Sequence, residues 1–100
     1  MHFIITWEIY AEGEEEKELD QQMKACLDGY NIVQILSTTC VVKVDEQQLY
    51  AELHKRWSEV SESNRGKLEF IMSPLMKTGQ YAGYFRQEKY QALTSELGSQ

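Results

Sequence analysis

Two β-rich runs joined at Ser37 and Thr38 constrain this chain more than any other feature. The stretch Asn31 to Val44 is dense in Val, Ile and Thr, residue types that suit a pleated, half-buried surface. Cys40, Val42 and Val44 fall on one side of the second run, and Val41 and Lys43 on the other, as the two-residue period of a strand requires. On either side of this hairpin lies a helical pattern. Beyond each helical pattern lies another strand-like run.

The first strand reads His2 to Tyr10, with Phe3, Ile5, Trp7 and Ile9 on one face and Ile4, Thr6, Glu8 and Tyr10 on the other. Both faces are partly apolar, as expected of a central strand. A helix is expected over Glu14 to Asp28, because Leu19, Met23, Cys26, Leu27 and Tyr30 trace one apolar stripe. Glu14, Glu15 and Glu16 occupy its first turn, where acids favour the positive end of the helix dipole by about 0.3–1 kcal/mol each. Gly29 is the expected left-handed stop. After the hairpin, Asp45 is the expected N-cap of a second helix, with Gln48 completing a capping-box pattern. Leu49, Leu53, Trp57 and Val60 form that helix's stripe, and Ser61 to Gly66 read as a polar loop. Lys67 to Met72 form a fourth strand, ended by Pro74. A short edge strand over Tyr81 to Phe85 and a terminal helix over Arg86 to Leu97 complete the reading.

The order strand, helix, strand, strand, helix, strand is the split βαβ or ferredoxin-like pattern of an α+β domain. Right-handed crossovers place both helices on one face of a four-stranded antiparallel sheet. Ile4, Val41 and Ile71 then mark the opposite face with apolar side chains, which a second copy packing sheet on sheet would cover.

At 100 residues the chain is a single domain, 1–100, with its core in 2–85 and a helical tail in 86–97. Its net charge of −6 is uneven. Residues 1–50 hold ten acids against three lysines, whereas residues 51–100 hold seven bases against six acids. Such a chain repels polyphosphate at long range, and its acidic half suits a basic partner. Cys26 and Cys40 are the only cysteines. They show no CxxC or Cys/His spacing, so they read as small buried hydrophobes rather than zinc ligands. Neither a signal peptide nor an apolar run long enough to span a bilayer is visible, which points to a cytoplasmic protein with no membrane contact. His2 reads as a terminal surface residue, and His54 falls toward the exposed side of the second helix. Trp7 and Trp57 read as core anchors.

Three places in the chain resemble a known family. They are the triplet Trp7-Glu8-Ile9 at the end of the first strand, the hairpin Leu36-Ser37-Thr38-Thr39-Cys40-Val41-Val42-Lys43-Val44, and the tail Thr78-Gly79-Gln80-Tyr81-Ala82-Gly83-Tyr84-Phe85. Over residues 2–85 the chain looks like the small ferredoxin-like proteins related to the dimeric nuclease of CRISPR spacer acquisition, including stand-alone phage and bacterial relatives. The resemblance implies a homodimer in which a strand-end acid from each copy shares a divalent metal for phosphodiester cleavage. The family's usual acid is Asp, and the matching position here is Glu8, one methylene longer. Mg²⁺ demands near-octahedral oxygen geometry, so the change disfavours catalysis and favours a weak or inactive relative that binds nucleic acid or a defence-system protein.

Two other functions compete with this one. In the first, Glu12, Glu14, Glu15, Glu16, Glu18 and Asp20 imitate phosphate toward a basic groove, as in an acidic anti-defence inhibitor. In the second, Glu8 serves as the catalytic metal ligand of a Mg²⁺-dependent ribonuclease; outside that case no cofactor is expected. The best contact cluster is Tyr81, Tyr84 and Phe85 with Arg86 and Lys77. Aromatic residues interleaved with bases can stack on unpaired nucleobases or anchor a protein interface.

Overall fold

The structure, a computed structural model, describes residues 1–77 and 87–96. Its elements are β1 (His2–Ile9), α1 (Glu14–Ala25), β2 (Asn31–Leu36), β3 (Thr39–Lys43), α2 (Gln47–Ser63), β4 (Leu68–Met72) and α3 (Gln87–Glu96). The four strands form one sheet in the order β2-β3-β1-β4, with every neighbouring pair antiparallel. The chain is an α+β fold consistent with the ferredoxin-like pattern.

The odd-numbered face of β1 carries the main core. Phe3, Ile5 and Trp7 meet Cys40 and Val42 of β3 and Leu68 of β4, and against them pack Met23 and Leu27 from the first helical segment and Leu53 and Trp57 from α2. Trp57 is fully buried. Its ring stands edge-on to Phe3 at 6.2 Å, and its indole N–H donates to the Met23 carbonyl at 3.0 Å. A buried indole needs such an acceptor, because an unpaired N–H costs about 1–3 kcal/mol. Trp7 solves the same problem with a side chain: its N–H donates to Asp20 Oδ1 at 3.0 Å.

The opposite face is divided. Val33, Ile35 and Val41 are buried beneath Leu93 of α3, with Ile4 and Ala92 packed beside them. The free apolar patch of Ile4, Val41 and Ile71 expected from the sequence is therefore not what the fold presents. Val41 is buried, Ile4 is half-buried, and Ile71 alone stays open, 67 % exposed. The terminal helix supplies the cover that was expected from a second copy.

Other boundaries shift for local reasons. The residue flanking α2 is Glu46, in extended conformation and without a side-chain cap. Asp45 thus sits one position too early to cap, and the capping box with Gln48 does not form. The same helix runs on through Ser61, Glu62 and Ser63, where a polar loop was expected, and Asn64 closes it by donating Nδ2–H to the Val60 carbonyl at 2.8 Å. The first helix stops at Ala25 rather than Asp28. Leu27 and Asp28 then donate to carbonyls three residues back, and Gly29 turns the chain at φ 87°. His2 is buried rather than superficial, because β1 begins with it: it pairs with Lys43 on one side and exchanges two backbone bonds with Met76, each 2.8 Å, on the other. The edge strand expected over Tyr81 to Phe85 lies outside the described residues. No helix among the described residues is long and apolar enough to cross a membrane.

Candidate functional site

The uncovered half of the sheet lies at the hairpin end. One cross-strand row runs over it as Leu36, Thr39, Thr6 and Ile71, set by the pairings Leu36 with Thr39, Thr39 with Thr6, and Thr6 with Ile71. The two threonine hydroxyls at its centre bond to each other at 2.9 Å, and Thr6 also donates to the Thr38 carbonyl at 3.1 Å. Its ends are apolar and open, with Leu36 at 56 % and Ile71 at 67 % exposure. A bulge between Gln34 and Leu36 shifts the β2 register here, which brings Leu36 into the row.

The next row along β1 pairs Glu8 with Glu69. Like charges directly opposite one another on a sheet repel. Tyr10 answers that repulsion: its hydroxyl lies 2.9 Å from Glu8 Oε2 and 2.9 Å from Glu69 Oε1. A phenol carries one proton, so it donates to one carboxylate at a time. Both glutamates disfavour the phenolate, and the Tyr10 hydroxyl is pushed up to about 12, chiefly by its bond to Glu8 and then by its bond to Glu69.

Around the free end of β1 lies an open groove of about 1030 Å³. Its floor is Thr6 to Ile9. One wall is α1, through Glu16, Lys17, Asp20 and Lys24; the other is the hairpin tip, Ser37 and Thr38. Glu69, Phe70 and Ile71 continue it onto β4. Lys24 pairs with Asp20 at 2.8 Å and Lys17 with Glu14 at 3.6 Å. Beneath this wall Cys40 is buried, and burial pushes its thiol up to about 11.

The structure places Glu8 in this groove. Strand alternation already put Tyr10 on the same face as Glu8, but nothing in the sequence pointed to Glu69, which only the strand register brings opposite Glu8. Glu8 meets a single further carboxylate, and among the described residues no group of three or more His, Cys, Asp or Glu side chains converges.

The acids of the first helical segment split in two. Glu14 pairs with Lys17, Glu15 with Lys67 at 2.6 Å, and Asp20 with Lys24 and Trp7. Glu12, Glu16 and Glu18 are exposed, with no ion pair to a described residue. Several bases are engaged too: Arg56 with Glu52, Arg65 with Glu62 and Lys67 with Glu15. Of the aromatic-basic cluster, Lys77 is exposed just after the Met76 bridge; Tyr81, Tyr84, Phe85 and Arg86 lie outside the described residues. His54 is exposed on α2, 6.0 Å from the Phe70 ring.

No protein-family model matches the chain, and no curated protein matches it.

Proposed function

We propose that this chain is a small binding domain that acts without turnover, of the kind the resemblance to stand-alone relatives of the CRISPR adaptation nuclease implies, and that its partner is a protein. The observation that carries this reading is the state of Glu8. The acid that would hold a catalytic metal faces Glu69 and is bonded by Tyr10, so it serves as one side of a carboxylate pair on an exposed surface. A protein partner is favoured over nucleic acid because the acids at this end of the sheet exceed the bases, and polyphosphate would be repelled.

Among the described residues, the surface that would suit a second copy is the hairpin end of the open face, where Ile71 and Leu36 are exposed. Within the resemblance, such a dimer is the arrangement in which two Glu8 residues would approach one another.

Labelled RNA and DNA incubated with the protein and Mg²⁺ or Mn²⁺ test the reading. The expected result is no cleavage above background, equal in the wild type and in Glu8→Ala. Cleavage that Glu8→Ala abolishes would replace the proposal with the ribonuclease alternative. Steeply salt-dependent capture of an oligonucleotide would turn the partner into nucleic acid.

A further inference from the structure

Hydrogen bonding along β1 alternates in direction. Tyr10 N–H donates to Lys67 at 2.7 Å and Ser73 N–H donates to Ile4 at 2.8 Å, so even-numbered residues bond toward β4. Trp7 N–H donates to Thr38 at 3.0 Å and Val44 N–H donates to Met1 at 2.9 Å, so odd-numbered residues bond toward β3. Ile9 is odd-numbered, but β3 begins at Thr39, opposite Thr6. Its N–H and C=O therefore point past the hairpin tip into the groove, where no described strand follows. A strand residue whose N–H and C=O face no neighbouring strand is a starting point for another strand's main-chain bonds.

We propose that this edge takes up an extended segment of a partner protein, added in line with β3, with basic and apolar side chains alternating. Strand addition draws affinity from main-chain bonds and specificity from alternate side chains. The alternation here follows from what flanks the new strand. On the open face it lies beside Glu8, with Glu69 beyond; on the helix face it lies beside Trp7 and the half-buried Ile9. The groove's two lysines are already paired with Asp20 and Glu14, whereas Glu8, Glu16 and Glu69 form no ion pair among the described residues. A lysine or arginine facing Glu8 would supply the missing cation, and its neighbour on the opposite face would cover Ile9.

This inference rests on the binding-domain reading and is tested separately from it. The probe is a short capped peptide alternating Lys and Val, compared with the same peptide N-methylated at alternate backbone amides and with a Glu/Val counterpart. Binding is followed by the amide resonances and hydrogen exchange of the full chain. The expected result is that the Lys/Val peptide shifts and protects the Ile9 amide, that N-methylation weakens binding by about tenfold for the two main-chain bonds lost, and that the Glu/Val peptide does not bind. Glu8→Lys, a change at an exposed position, should weaken the Lys/Val peptide about threefold, as for a surface ion pair. Equal binding of the N-methylated peptide would reduce the contact to charge attraction and overturn the proposal. So would an unmoved Ile9 amide, or no binding of the Lys/Val peptide. None of these outcomes touches the cleavage assay, on which the broader reading stands or falls.

Discussion

Glu8 and Glu69 stand directly opposite each other on β1 and β4, and the Tyr10 hydroxyl reaches both at 2.9 Å. The phenol stays protonated because its proton bonds to a carboxylate and two neighbouring carboxylates disfavour the phenolate. With its folded-state value raised from 10.0 to about 12, the sign of the linkage is fixed: the contribution is complete below pH 10 and is lost as pH rises through about 12. Ultraviolet titration should show one tyrosine ionising later than in the unfolded chain. Tyr10→Phe should remove that late step, and Glu8→Gln with Glu69→Gln should move it back toward pH 10. A late step surviving Tyr10→Phe would place it elsewhere.

The two cysteines should differ sharply in reactivity. Burial raises both thiols, Cys40 to about 11 and Cys26 in the same direction, although Arg56 partly offsets it at Cys26. Cys40 is fully buried and Cys26 half-buried. Since the thiolate is the reactive form, a thiol reagent at pH 8 should label Cys26 slowly and Cys40 only after unfolding. Both should label at the same rate in denaturant. Prompt labelling of native Cys40 would contradict the packing of β3 against α1.

The main core should be intolerant of truncation at Trp57. Its ring touches Phe3 and Phe70, and its N–H satisfies the carbonyl of Met23. Trp57→Ala should cost about 3–5 kcal/mol, a large share of the roughly 5–15 kcal/mol that stabilises a domain of this kind. Trp57→Phe should cost less, keeping most of the apolar contact but losing the donor. Denaturant midpoints at constant slope measure both.

Much of the layered arrangement was legible because its signals are periodic. The 3.6-residue stripe of Leu49, Leu53, Trp57 and Val60 and the two-residue alternation in β1 and β4 name their elements without any tertiary information. What stayed hidden depends on register or distance. His2 looked terminal because nothing local says that β1 is central from its first residue. Val41 looked free because its cover, Leu93, lies on a helix with a weak stripe far along the chain. The Glu8–Glu69 pair is a product of the β1–β4 register, and a single sequence does not state a register. The shift of the α2 cap from Asp45 to Glu46 is a one-residue displacement, which capping patterns seldom resolve.

Ile71 offers the test of self-association. It is the most exposed large apolar side chain described, in a row whose other end, Leu36, is also open. If two copies meet on this face, Ile71→Lys should lower the sedimentation coefficient to that of a single chain, while the unfolding midpoint, compared at dilutions where both proteins are single chains, stays almost unchanged, because an exposed residue contributes little to the fold. A monomer in both proteins would remove the homodimer from the functional proposal.

The terminal helix should behave as a cover for the sheet rather than as part of the main core. Leu93 buries Val33, Ile35 and Val41, and the Lys89 ammonium donates to the Ile35 carbonyl. None of these residues belongs to the cluster built on Phe3, Met23, Leu53 and Trp57. Leu93→Asp places a carboxylate in an apolar contact it cannot satisfy. The helix should detach while the four-stranded sheet and the first two helices persist. Amides of β2 should then exchange faster, and an apolar dye should bind the uncovered valines and isoleucine. Unfolding of the whole chain in a single step, with Trp57 exposed at the same time, would show instead that α3 is integral to the fold.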